Sequence, residues 1–261
     1  MESLCKPGSA VTIRFVQFLV LGDIHANFHA LEAVLGDAEG KFDQIVCLGD
    51  LVGYNAQPES VIAWTRANCT SVVRGNHDKA IAGIDSLEWF NEIAQAAARW
   101  TIAKLNADEL SYLRNLDKGP LTLSSFHICH GSPRDEDEYV TTPGEAALSF
   151  AQPESSLTFF GHTHLQGGFF SKYNRVGAIA SVPRSESESI LALEPDVVYL
   201  VNPGSVGQPR DGDPRAAYAL YDPERGLVTF RRVAYAIRKT AEEIMEAGLP
   251  DVLAFRLFQG M

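Results

Sequence analysis

FLVLGDIHANFHAL, residues 18–31, runs as a short apolar segment of strand character, breaks at Gly22, and sets Asp23 and His25 two residues apart before a helical pattern begins. A carboxylate and an imidazole are poor choices for packing alone, because each loses hydration on burial unless something pairs with it. The same punctuation recurs down the chain. IVCLGD (45–50), VVRGNHD (72–78), FHICHGS (126–132) and TFFGHTH (158–164) each carry an apolar run into a glycine and a polar cluster. Helix-like segments near 28–38 and 58–67 separate the early runs, which is the grammar of an α/β fold. Ligands of open α/β sheets sit beyond the carboxyl ends of strands, so five such ends can converge on one edge.

A helix-rich block at about 79–116 interrupts the motifs, and strand-like runs return at 120–129, 157–160, 167–171, 175–182, 189–193, 197–201, 216–221 and 227–232. The second half therefore reads as a hairpin-rich sheet. RSESES at 184–189 suits a solvated turn between strands. Gly248 and Pro250 divide the tail into helices at 237–247 and 250–258. The resulting division is a 1–14 extension, a main domain over 15–236 with a cap-like insertion at 79–116, and a helical pair over 237–261 packed on it.

With 261 residues, the chain can bury one large core. A formal charge of −11 without a basic stripe argues against a stable nucleic-acid partner and against a nuclease. Cys5, Cys47, Cys69 and Cys129 show no C-x-x-C spacing and suit reduced thiols in a cytoplasmic protein. No apolar run is long enough to span a bilayer. The sequence leaves the oligomeric state open.

The polar residues at the strand ends are Asp23, His25, Asp50, Asn76, His77, His130, His162 and His164. Imidazole, carboxylate and amide oxygen without thiolate suit an exchangeable site for manganese, iron, cobalt, nickel or zinc. If the backbone stays extended, Asp23 and His25 point to one side, as do His162 and His164, with Gly22 clearing room.

In order along the chain, DIH (23–25), GD (49–50), GNHD (75–78), HG (130–131) and GHTH (161–164) resemble the motifs of the calcineurin-like metallophosphoesterase superfamily. That resemblance implies a four-layer α-β-β-α sandwich and two adjacent divalent ions, manganese first among the candidates. It implies that Asp23, His25 and His164 hold one ion, that Asn76, His130 and His162 hold the other, and that Asp50 bridges them. The reaction it implies is in-line attack on phosphorus by a metal-bridging hydroxide. Two carboxylates and a hydroxide offset three of four metal charges, leaving an excess of roughly +1 that attracts phosphate to an acidic protein.

His77, in the same resemblance, lies near the leaving group and stabilises or protonates it. Relatives often write G-D-x-x-D, with a second carboxylate supporting that histidine, and phosphoprotein phosphatases follow it with Arg; here Gly53 and Tyr54 stand at those positions. A weaker acid suits leaving groups that are already good, such as nucleoside polyphosphates, better than a serine alkoxide. GDLVGYN and NPGSVGQPRDG are similar to text in a bacterial branch resembling diadenosine tetraphosphatases, which favours a nucleotide or another small phosphate ester as substrate. Within the latter segment, Asn202, Gly204 and Ser205 read as an anion-binding nest, and Arg210 or Arg215 as a grip on a distal phosphate. A serine/threonine phosphoprotein phosphatase and a non-catalytic metal-binding module of the same fold are the competing readings.

Several residues carry blander expectations. His29 reads as a surface residue and His127 as a sheet residue; Arg74 and Lys79 are divided between solvent and substrate. Trp89, Ile93, Ala96 and Trp100 recur at helical spacing, a core stripe in preference to a platform for a base.

Overall fold

The structure is a computed structural model and describes residues 16–151 and 154–261. The expected 1–14 extension, Cys5 included, lies outside the described residues. Strands β1 (Phe18–Leu21), β2 (Gln44–Cys47), β3 (Ser71–Val72), β4 (Leu121–Thr122), β5 (His127–Ile128), β6 (Leu157–Phe159), β7 (Gly167–Lys172), β8 (Arg175–Ile179), β9 (Glu188–Ala192), β10 (Val198–Asn202), β11 (Ala216–Asp222) and β12 (Leu227–Val233) form two sheets. Their orders are β3-β2-β1-β11-β12-β9 and β4-β5-β6-β10-β7-β8. In the first sheet β1, β2 and β3 run parallel, and in the second β5, β6 and β10 do. Parallel neighbours place their carboxyl ends on one edge, so the sheets deliver the polar motifs together.

Alternation along β1 explains the layering. Phe18 and Val20 point between the sheets, where they meet Val46, Phe126, Phe159, Val201 and Phe230. Leu19 and Leu21 point the other way, onto α1 (Phe28–Ala38) and α2 (Pro58–Asn68) through Leu31, Val34, Val61 and Ile62. A strand buried on both faces reads as a continuous apolar run, which is what FLVL is. Each such side chain contributes about 1.5–3 kcal/mol on burial. The second sheet is covered by α6 (Pro143–Phe150), with Ala146 against Phe160, Phe169 and Leu200. The strand-and-helix reading left α6 out, although Thr142, Pro143 and Glu145 carry a capping-box signature, and Thr142 Oγ1 does accept from the Glu145 amide at 3.3 Å. Eight α-helices are present among the described residues, and the two mixed sheets with helices on both outer faces match the expected four-layer α/β sandwich.

The 79–116 region holds the end of α3 (Asn76–Ile81), a 3-10 turn at Leu87–Trp89, α4 (Glu92–Lys104) and α5 (Ala107–Arg114). Of the expected stripe, only Trp100 packs inward, half-buried with its Nε1 donating to Ala247 O at 3.0 Å, while Ala96 is exposed. Ala94, Ala97, Ala98 and Thr101 are the buried side of α4, whereas Ile93 is exposed and Trp89, on the preceding turn, is 84% exposed. Ala94 and Ala97 pack with Tyr54 and with Ala241, Ile244, Leu253, Ala254 and Leu257 of the C-terminal segment, so small residues carry the contact. The tail forms α7 (Ile237–Glu246) and α8 (Asp251–Leu257) as the Gly248 and Pro250 signals suggest. His29 corrects a second expectation: it is buried, and its Nε2 meets Glu243 at 2.8 Å, tying α1 to α7. RSESES is a turn whose last residues open β9.

The orientation of α4 is testable by denaturant unfolding. Ala97→Leu should lower stability by about 1–3 kcal/mol through overpacking, while Ile93→Ser should stay within about 0.5 kcal/mol of the parent.

Candidate metal centre

After Leu21 the chain leaves the extended conformation at once. Asp23, His25 and Ala26 adopt φ of 53°, 47° and 55°. The expected same-side alternation is therefore not what aims Asp23 and His25 together; successive left-handed turns do it. Backbone bonds pin those turns: Asp23 N–H to Gly49 O at 3.1 Å, His25 N–H to Asp50 O at 2.8 Å, and Ala26 N–H to Leu51 O at 2.8 Å. Asp50, His162 and His164 are left-handed too, at 53°, 66° and 59°. Such conformations are disfavoured for residues with a Cβ and persist where their surroundings fix them. The room expected of Gly22 comes from Gly75 instead, where a Cβ would stand 2.0 Å from Asp50 Oδ1; at Gly22 the nearest atom would be 3.5 Å away.

The histidines show what the edge is built for. His25 Nδ1 lies 3.0 Å from Val52 O, His130 Nδ1 2.8 Å from Leu48 O, His164 Nδ1 2.6 Å from Gln208 O, and His162 Nε2 3.2 Å from Asp137 O. A carbonyl can only accept, so each imidazole donates its proton outward and turns a lone pair inward. Those inward nitrogens face one another: His25 Nε2 and His164 Nε2 at 3.1 Å, His130 Nε2 and His162 Nδ1 at 3.0 Å. Asn76 Oδ1 adds a further acceptor 3.2 Å from His130 Nε2. Two lone pairs at that range repel unless a cation stands between them.

The carboxylates complete the argument. Asp50 Oδ2 lies 3.4 Å from His25 Nε2 and 3.6 Å from His130 Nε2, and Asp23 Oδ1 lies 3.6 Å from His164 Nε2. Asp23 Oδ2 is buried without a hydrogen-bond partner. Burial pushes the carboxyls of Asp23 and Asp50 up to about 7 and holds the imidazoles of His25, His162 and His164 well below their usual range. Neither set carries its charge comfortably on its own, and a divalent ion satisfies both. The donors form two groups, Asp23, His25, Asp50 and His164, and Asp50, His130 and His162, with Asp50 in each. Asn76 is placed to join the second group. These residues fit a divalent metal site, and the N/O donor set without sulfur fits borderline or hard ions.

His77 sits beside this centre with 4% of its surface exposed. Its amide donates to Asp50 Oδ1 at 2.9 Å, and its ring lies 4.5 Å from those of Tyr54 and Phe90. Its Nδ1 is buried without a hydrogen-bond partner. Gly53 explains the gap: its φ is +91° and a Cβ there would stand 2.6 Å from Nδ1, so the loop passes where a supporting carboxylate would have to sit.

The expected anion nest is corrected by the structure. Asn202 and Ser205 are fully buried, with Asn202 Nδ2 donating to Gly161 O at 2.9 Å and Ser205 Oγ to Asp23 O at 2.8 Å. The Gly204 amide donates to Asn202 Oδ1 at 2.8 Å. Their polar groups are turned to the backbone of Gly161 and Asp23, behind the candidate metal donors. Arg215 is likewise occupied, by Asp213 at 2.6 Å and by backbone carbonyls. Arg74 pairs with Glu136 at 2.9 Å, and Lys79 with Asp137 and Asp85. His127 is a buried sheet residue near Thr122 Oγ1. Arg210 is different: it bonds Gln208 Oε1 at 2.9 Å, lies 5.6 Å over the Tyr54 ring, and forms no ion pair among the described residues.

Asp78 is a residue the sequence reading passed over. It is fully buried and accepts the amides of Leu51 at 2.9 Å, Val52 at 3.3 Å and Gly75 at 3.0 Å, binding the loop after β2 to the loop after β3. Its signal was the three-residue spacing from Gly75, the acidic position that caps a helix start. Asp78→Ala should leave the chain folded but lower divalent-metal affinity about 10–100-fold, measured by metal titration with circular dichroism as the check on folding.

Residues 16–226 match the family model described as the calcineurin-like phosphoesterase superfamily domain. The chain is 36% identical over 252 residues to an uncharacterized protein of Methanocaldococcus jannaschii, covering 92% of this chain and 97% of that one. It superposes on the crystal structure of a metallophosphoesterase from Sphaerobacter thermophilus with a TM-score of 0.83 at 39% identity, over 94% of this chain and 99% of that one. A hypothetical protein from Pyrococcus horikoshii shares the fold at a TM-score of 0.72 and 22% identity, over 95% and 99% of the two chains. With its ligand types converging at the edge where the family's motifs end, the chain belongs to the calcineurin-like phosphoesterase superfamily.

Proposed function

We propose that this protein is a dinuclear-metal phosphoesterase that hydrolyses phosphoric ester or anhydride bonds in nucleotides, with dinucleoside polyphosphates and phosphodiesters as its substrate class. The observation that carries this reading is the pair of donor groups sharing Asp50. Asp23, His25 and His164 would hold one ion, and Asn76, His130 and His162 the other. Two divalent ions there supply Lewis acidity and a water acidic enough to act as nucleophile at neutral pH. Manganese is the proposed resident ion.

The remaining steps fall to the chain's own groups. Asn76 ligates through a neutral carbonyl and so leaves positive charge for phosphate. Arg210, free of ion pairs among the described residues, is the side chain placed to hold a second phosphate. His77 faces the leaving group without a carboxylate behind its Nδ1, so it is a poorly supported acid. That favours phosphoanhydrides, whose leaving groups need little protonation, over a phosphoserine alkoxide. No described helix is long and apolar enough to cross a membrane, and Cys47, Cys69 and Cys129 are free thiols, so the cytoplasm is the proposed compartment.

Chelator-stripped protein reloaded with manganese should split diadenosine tetraphosphate in a metal-dependent way and leave a phosphoserine peptide largely intact. The reverse preference would install the phosphoprotein-phosphatase reading. Asp50→Asn should bind fewer than two ions and lose about 10³-fold or more in kcat; full activity in that variant contradicts a shared ligand. Across graded aryl phosphates the rate should fall steeply as leaving-group pKa rises, and a flat plot would show that His77 protonates well without Gly53 being an acid.

A further inference from the structure

Beside the metal ligands lies a cavity of about 460 Å³, far more than one phosphate fills and within the range of pockets for whole small ligands. Asn76, His77 and His162 form its metal-side wall, and Tyr54, Phe90 and Tyr139 line it with rings. Trp89 stands at its mouth, 84% exposed, on the 3-10 turn that follows α3. An indole left in water contributes nothing to the core, and α4 buries alanines where the sequence pattern offered Trp89 and Ile93. Tyr139 is also half exposed while its ring lies 3.9 Å from that of His162, a metal ligand. The rings therefore line a path from solvent to the metal centre.

Charge decides which end of a substrate this cavity takes. Its charged rim residues are Asp85 and Asp137, both paired with Lys79, so the rim itself offers no free cation for a phosphate chain. Arg210, which forms no ion pair among the described residues, lies 5.6 Å over the ring of Tyr54, a wall of the cavity, and so marks the phosphate end. Flat apolar rings with carboxylate, hydroxyl and amide groups at the rim, from Asp85, Ser86 and Asn91, suit an uncharged heteroaromatic ring carrying hydrogen-bond donors.

We propose that this cavity is a nucleobase pocket, in which the base stacks on Trp89 while its own phosphate reaches Asn76 and His162. The assignment rests on the phosphoesterase reading for the phosphate and on the cavity itself for the base. It makes Trp89, on the turn inside the 79–116 insertion, the residue that selects nucleotides over other phosphate esters.

Isothermal titration calorimetry of the full, manganese-loaded chain reads binding without relying on Trp89 as the reporter. Adenosine 5′-monophosphate should bind about tenfold or more tightly than ribose 5-phosphate, as base–aromatic stacking contributes. Trp89→Ala, at an exposed position, should remain folded and bind the two alike. In steady-state turnover with manganese, the same variant should raise KM for a nucleotide substrate about tenfold with kcat little changed, and should leave KM for methyl phosphate where it was. Equal binding of the two ligands by the parent protein, an unchanged gap in Trp89→Ala, or phenyl phosphate binding as tightly as the nucleotide would each overturn the nucleobase assignment while leaving the phosphoesterase reading intact. Absence of any metal-dependent hydrolysis alongside normal binding of adenosine 5′-monophosphate would overturn the enzyme reading instead.

Discussion

Lone pairs of buried imidazoles directed at one another are the constraint on which this structure depends. Four histidines give their protons to backbone carbonyls on loops that follow different strands, and their other nitrogens converge at 3.0–3.1 Å in two pairs. A protein core does not accumulate facing acceptors, because each has lost its water and gained a repulsive neighbour. Positive charge inside the arrangement relieves that repulsion. The left-handed turns at Asp23, His25, Asp50, His162 and His164, the glycine at 75, and the buried Asp78 are all consequences of aiming donors at one point.

The scaffold explains why that point exists. Parallel strands in each sheet end on the same edge, and the two edges are stitched together across the sandwich. His130 bonds to Leu48 O at 2.8 Å, and the His162 amide bonds to Asp23 Oδ1 at 3.0 Å. Neither sheet holds the full donor set. Sequence segments more than a hundred residues apart therefore become neighbours only when the interior between the sheets is packed, which couples the site's geometry to Phe126, Phe159 and Phe230.

Much of this was legible in the sequence because strand ends and ligand types are local signals. FLVLGDIH announces a doubly buried strand and two donors in a single line, and the order of five such motifs indicates the family. What was hidden depends on tertiary contacts. Asn202 and Ser205 looked like phosphate ligands because exposed NPGS-type turns make anion nests, yet here their groups are turned inward to Gly161 and Asp23. Trp89 and Ile93 fit a helical core stripe with Trp100, but only Trp100 packs inward, while α4 meets the C-terminal helices through alanines and leaves the other two outside. His29 gave no hint of Glu243, more than two hundred positions away.

Gly53 leaves the Nδ1 of His77 without a carboxylate partner, and it does so without disturbing the candidate metal donors. The donor groups around Asp50 and the support of His77 are thus separate features of the edge. The central claim concerns the first of these. Anomalous diffraction from manganese-loaded crystals tests it most directly. The account predicts two peaks, one ringed by Asp23, His25 and His164, the other by Asn76, His130 and His162, with Asp50 touching both. A single fully occupied peak, or two peaks that do not share Asp50, would contradict it.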